Sequence, residues 1–312
     1  MGKASRTKQD PDRRARIAAQ RAAEKRRQQR NRIYIAGGSI FAVIIVVVVF
    51  VLVGVNHNNS SSSGSTPVGP TGAALTSVVN QVTSVPPATL DKVGSGGSAV
   101  NNGSSPIIPL KGGSPLISGG KPEMFYAGAE YCPYCAAERW GMIVALSRFG
   151  TFTGLQTTHS AAVDGAGNAE PNPNTPTWTF AHSTYTSKYL TFTPVEMETN
   201  IPDKSNGGYT SLQTPTSAEQ ALITKWDTAN QGAIPFIDFG NKYMISGASY
   251  DGSVLDGKSW ATISAALKDP SSPIAQSVDG TANYITATIC KMTNNQPATA
   301  CTSAVQGLES KL

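Results

Sequence analysis

The pattern of hydrophobic and polar positions changes several times along the chain, and each change predicts a different kind of element. Ile40 to Val53 is apolar at every position, and the wider segment Ile33 to Val55 runs 23 residues without a charge. As a helix it spans roughly 34 Å, enough to cross a hydrocarbon core of about 30 Å. Residues 33–55 are therefore expected to form a transmembrane helix. Asn56 to Gly72 is rich in Asn, Ser, Gly and Pro, and 56–74 reads as a flexible stalk. Ala73 to Val85 predicts a short helix before Pro86-Pro87. Two short apolar pieces, Ile107-Ile108 and Leu116-Ile117, lie in a Gly- and Ser-rich stretch and predict short edge strands.

From Lys121 the pattern predicts an ordered series. Met124 to Ala129 is a strand, and Cys135 to Phe149 is a helix with Trp140, Ile143, Val144 and Leu146 on one side. Gly154 to His159 is a second strand, and Asp164 to Pro176 is loop. Thr177 to Met197, rich in Thr, Tyr and Phe, holds a strand and an irregular insert. Thr216 to Asn230 is a helix with Thr216 or Ser217 as N-cap. Ile234 to Phe239 and Tyr243 to Ser246 are strands joined at Gly240-Asn241, a hairpin signal. Ser259 to Lys268 is a helix, and Ala282 to Met292 is a last, ambiguous one. This order predicts an α/β sandwich, with one domain over residues 75–312 and its core from about residue 121.

Charge sharpens the topology. Residues 1–32 carry 12 Lys and Arg against 3 Asp and Glu, and the other 280 residues carry 13 against 17. The basic character thus belongs to the tail, which is expected to stay in the cytoplasm and leave the domain outside. The apolar run is longer than a signal-peptide h-region and no small-x-small site follows it, which favours an uncleaved anchor over a cleaved signal. The expected location is the cell membrane, crossed once. Nucleic-acid binding is not expected of so short a basic run without interleaved aromatics.

The candidate chemistry is Cys132-Pro133-Tyr134-Cys135, where the 124–129 strand runs into the helical pattern. A helix N-terminus favours thiolate over thiol, and thiolate is the species that attacks disulfides. Three readings stay open: a redox pair, an inert disulfide, and metal ligation. A closed zinc site needs four ligands, whereas the second cysteine pair, Cys290 and Cys301, has ten residues between and the three histidines do not cluster. Outside the membrane Cys290 and Cys301 are expected to form a structural disulfide, with an electron relay to Cys132 and Cys135 as the alternative. Tyr131, Tyr134, Trp140 and Trp178 are candidate groove residues, with core packing the stronger expectation for Trp140. Glu130 and Glu138 are expected to be solvated.

The helix-initial dithiol, the element order and the later Ile234-Pro235 together resemble the thioredoxin fold. The stretch Ala129 to Trp140, continued by Leu146-Ser147-Arg148-Phe149-Gly150, resembles a narrower group, the membrane-anchored thioredoxin-like family catalogued as domain of unknown function 929. The resemblance implies a thioredoxin-like sandwich with an insertion in the 99 residues between Cys135 and Pro235, preceded by one transmembrane helix. It implies Cys132 as an exposed nucleophile, Cys135 as the resolving thiol, and Pro235 as a cis-proline in a substrate groove that Tyr131, Pro133, Tyr134 and Ile234 border. No cofactor beyond the redox-active disulfide is implied. The expected partners are exported cysteine-containing proteins and a membrane redox partner, with the direction of electron flow open. Thioredoxins carry a buried acid six residues before the first cysteine; here that position is Tyr126. A non-catalytic binding or assembly module on the same fold is the alternative.

Overall fold

The computed structural model describes residues 68–227 and 232–312. The expected transmembrane helix, the basic tail and most of the stalk lie outside these residues. Among the described residues no helix is long and apolar enough to cross a membrane.

Strand β3 (Lys121–Gly128) organises the domain. Successive side chains of a strand point to opposite faces, so Met124 and Tyr126 enter one core while Phe125 and Ala127 enter another. β3 pairs in parallel with β8 (Thr191–Glu196) and antiparallel with β11 (Phe236–Phe239). β11 continues antiparallel to β12 (Tyr243–Ser246), which carries β1 (Ile108–Pro109) at the edge, while β2 (Ile117–Ser118) pairs with the start of β3. The predicted hairpin is present, and Asn241 takes φ 58° at its turn, a left-handed conformation that Asn tolerates. The two apolar pieces before Lys121 are the short strands β1 and β2. Pro194 sits inside β8, which among the described residues ladders only with β3; an edge strand can spare the missing N–H.

Seven α-helices are present among the described residues: α1 (Gly72–Thr83), α2 (Pro87–Val93), α3 (Pro133–Leu146), α4 (Ser217–Trp226), α5 (Trp260–Ala266), α6 (Pro273–Met292) and α7 (Ser303–Glu309). The result is a mixed α/β structure around a central mixed sheet. α4 supplies Ile223 to the core on the Phe125 face, and α3 and α6 pack on the Tyr126 face. α4 starts at a capping box in which Thr216 and Glu219 bond each other's backbone N–H.

Three expectations change. The 154–159 strand is not in the central sheet. Gly154, at φ +73°, separates β4 (Gly150–Thr153) from β5 (Gln156–His159), which covers most of that stretch. These pair with β7 (Thr184–Ser187) and β6 (Pro176–Thr179) as separate two-stranded ribbons. β8 takes the place beside β3. α3, expected to be buried on one side, is buried at every position except Tyr134, because the sheet, α6 and β6 enclose it. Gly141 permits this, since a Cβ there would stand 2.9 Å from a Thr281 methyl on α6. α6 is also longer than its apolar pattern suggested. Two of its buried hydroxyls bond to the helix itself, Thr286 to the Ala282 carbonyl and Thr288 to that of Tyr284.

Candidate functional site: the dithiol at the start of α3

β3 ends at Gly128, and after three intervening residues Cys132 caps α3. Its backbone is extended (φ −70°, ψ 121°), and its sulfur accepts the Cys135 N–H at 3.3 Å. Pro133 takes the first helical position, where no N–H is required. The Cys132 thiol donates to the Ile234 carbonyl at 3.6 Å. The Ile234–Pro235 peptide is cis and leads directly into β11. The chain thus brings Cys132, Cys135 and Ile234-Pro235 together across the 99 residues between Cys135 and Pro235. Cys132 and Cys135 are unbridged thiols, whereas Cys290 and Cys301 form a disulfide that ties the end of α6 to the segment before α7.

The first sulfur is not exposed as expected: Cys132 is 3% accessible and Cys135 fully buried. Segments between residues 161 and 209 close around the turn before them. Glu130 N–H donates to the Glu198 carbonyl in β9 (Glu198–Asp203), and Ala161 N–H donates to the Tyr131 carbonyl. The Tyr131 ring stacks at 4.0 Å on Tyr209 of β10 (Gly208–Ser211), whose hydroxyl donates to Glu170. Tyr131 is half-buried and Tyr134 exposed. Trp140 and Trp178 line no groove. They are buried against each other edge to face at 5.1 Å, and Trp140 Nε1 donates to the Pro176 carbonyl.

The two thiols are electrostatically unlike. Burial pushes Cys132 up. The hydrogen bonds from the Cys135 side chain and N–H, the charge of Arg139 and the Tyr134 N–H outweigh burial and hold Cys132 below the ordinary thiol value. Burial, the hydrogen bond with Cys132 and the charge of Cys132 push Cys135 well up, against the pull of Arg139 and the Ala129 N–H. A depressed first thiol at a helix start and a raised second thiol one turn in suit attack by one and resolution by the other.

Three groups were not expected from the sequence. Arg139 is fully buried on α3 and forks onto Glu196 of β8, Nε to Oε1 at 2.8 Å and Nη2 to Oε2 at 2.6 Å. Nη2 also donates to the Ala129 carbonyl at 2.7 Å. The pairing holds Arg139 charged despite its burial. Glu138, expected in solvent, is fully buried and accepts the Ser249 N–H and hydroxyl at 2.8 and 2.9 Å. Burial raises its carboxyl to about 7. Asp279 on α6 is buried, with both oxygens unpartnered among the described residues, and burial raises it to about 8. Ser249 also lines an open cleft of about 650 Å³ with Ser98, Asn101, Tyr250, Asp251 and Ser277, which neither sulfur reaches. One signal for Arg139 was available: it lies four residues after Cys135, on the same helical face.

The molecule defined by these features is a mixed α/β protein whose central sheet feeds a helix-initial dithiol set beside a cis-proline. Residues 112–291, more than half of the chain, match the family described as Domain of unknown function (DUF929), and the chain belongs to that family. No curated protein and no solved structure matches it.

Proposed function

We propose that this protein is a membrane-anchored, extracytoplasmic thiol–disulfide oxidoreductase that acts on exported proteins through Cys132 and Cys135. The observation that carries the reading is the open dithiol whose first sulfur, depressed in pKa, lies against Ile234-Pro235. In reduction of a substrate disulfide, the Cys132 thiolate attacks one substrate sulfur and forms a mixed disulfide. Cys135 then attacks Cys132, closing the intramolecular disulfide and releasing the substrate as a thiol. Oxidation of a substrate dithiol is the same sequence reversed, and the reduction potential of the pair sets which direction dominates. The strand order β8-β3-β11-β12, with α3 following β3 and the cis-proline preceding β11, supports a thioredoxin-like sandwich. In this reading β4 to β7 and the β9–β10 hairpin belong to the insertion. The uncharged segment Ile33 to Val55 behind a basic tail supports the single-pass anchor.

The deep burial of both sulfurs favours a second reading, a non-catalytic binding or assembly module on the same fold. Measurement of the Cys132–Cys135 reduction potential, with turnover on a protein disulfide and on a reduced, unfolded protein, separates the two. Turnover in either direction supports the oxidoreductase. No turnover, together with a disulfide that resists reduction below about −300 mV, overturns it in favour of the module.

A further inference from the structure

Resting on the reading of Cys132 and Cys135 as an exchanging pair, we infer that Arg139, clamped by Glu196 and faced by Tyr126, is the positioning residue that receives the Cys135 thiolate during resolution. The geometry begins with an unmet need. Arg139 spends Nε and Nη2 on Glu196 and Ala129, while Nη1 has no partner among the described residues. The Tyr126 hydroxyl, whose ring lies 5.9 Å from the Arg139 guanidinium carbon, is buried and likewise without a partner among the described residues. A buried donor without an acceptor is costly, more so on a charged group. Exchange creates a new acceptor one helical turn before Arg139 on the same face, the Cys135 sulfur once it has lost its proton, and the charge of Arg139 already bears on that sulfur.

The surroundings agree. The groups that bear electrostatically on Cys135 or Arg139 are Cys132, Tyr126, Tyr131 and Glu196. Glu196 is occupied by the fork. Tyr126 is held well above its ordinary value, mainly by burial, so it keeps its proton and serves as a donor, not as a base. Glu138, the neighbouring acid on α3, is turned to Ser249 and not to the sulfurs. Arg139 also fixes the Ala129 carbonyl, which in turn accepts the Cys132 N–H at 3.3 Å. One guanidinium thereby holds the turn before the dithiol and offers its remaining N–H groups to the second sulfur.

Cys135 gives its proton to water, and its thiolate attacks the Cys132 sulfur of the mixed disulfide. The Cys132–Cys135 bond forms and the bond from Cys132 to the substrate sulfur breaks. That sulfur leaves with the electron pair and is protonated by water. The substrate disulfide has gained two electrons, and the dithiol has lost two.

The test uses the full-length reduced chain and a chromogenic aryl disulfide. The first equivalent of aryl thiolate reports attack by Cys132, and the second reports resolution by Cys135. Removing both charges with Arg139→Met and Glu196→Gln together is expected to slow the second step relative to the first by about tenfold or more and to move its pH midpoint upward. Arg139→Lys retains part of the effect, and Tyr126→Phe slows the second step a few-fold. If the double variant does not fold, Arg139→Lys and Tyr126→Phe decide the question. An unchanged ratio and pH midpoint in the folded variants overturns the inference. If the wild-type chain completes both steps but exchanges with no protein disulfide or dithiol, the proposed function fails while the role of Arg139 stands. If the wild-type chain releases no second equivalent, both fail.

Discussion

The Cys132 thiol touches the carbonyl oxygen of Ile234, 102 residues later in the chain, at 3.6 Å. That oxygen accepts a thiol proton but repels a thiolate, whereas the Cys135 N–H at 3.3 Å favours the thiolate. The first sulfur therefore sits between one group that prefers it protonated and several that prefer it charged, and the charged form gains.

The reduced chain should react asymmetrically with an alkylating agent at pH 7. Cys132 is expected to be modified at least about tenfold faster than Cys135, because its thiolate fraction is larger. The rate should rise with pH to a midpoint below the ordinary thiol value. Cys135→Ser should retain this reaction and accumulate mixed disulfides, and Cys132→Ser should abolish exchange. Mass mapping of the adducts checks the order of reactivity.

Stability should fall as pH rises through neutrality. Glu138 and Asp279 are raised in the folded state to about 7 and about 8, above their ordinary carboxyl values. Between about pH 4 and pH 8 the native state therefore holds protons that the unfolded state has released, and unfolding becomes easier as they are lost. Asp279→Asn keeps the side-chain volume and removes the ionisation. It should raise stability at pH 8 by on the order of 3 kcal/mol relative to its effect at pH 5. Urea midpoints of both chains at the two pH values check this. Equal pH slopes for the two chains would contradict it.

Gly128 should tolerate no side chain. A Cβ there would meet the Tyr126 hydroxyl at 2.0 Å and its ring carbon at 2.4 Å. Gly128→Ala should cost about 1–3 kcal/mol by overpacking. Adding Tyr126→Phe should recover only part of that cost, since the ring carbon remains in the way. Thermal unfolding of the single and double variants measures the coupling.

Removing the Cys290–Cys301 bridge should cost stability and leave exchange intact. The bridge closes a short loop, worth about 3 kcal/mol in the chain-entropy model. The Cys290→Ala, Cys301→Ala double variant is expected to unfold earlier but to exchange at the wild-type rate at a temperature where it is folded. Lost exchange in the folded variant would make the pair an electron relay instead.

Local signals wrote the dithiol helix, the β11–β12 hairpin, the capped α4 and the edge strands β1 and β2 into the sequence. Each rests on neighbours a few residues apart: Pro after a capping Cys, Gly-Asn between alternating runs, Thr three residues before Glu. What escaped depends on distant partners. β8 and β5 are both short and Thr-rich, and only the company of β3 decides which one joins the sheet. Glu196 meets Arg139 from 57 residues away, and Ser249 meets Glu138 from 111 away. A charged residue on a helix reads as solvated until its partner is known, so the groups that surround the sulfurs were the least legible part of the site. The burial of Cys132 was hidden for the same reason, since the β9–β10 hairpin that encloses its turn has no local tie to it.

The separation of the chain's four cysteines into one closed bridge and one open pair has a practical consequence. With Cys290 and Cys301 locked together, every thiol titrated in the intact chain belongs to the candidate site. Under the proposed function, two titratable sulfurs per chain would mean the reduced state, none the oxidised state, and one a captured partner. The molecule is thus its own stoichiometric gauge, and the occupancy of each state along an exchange can be read from mass alone, without a reporter attached to either side.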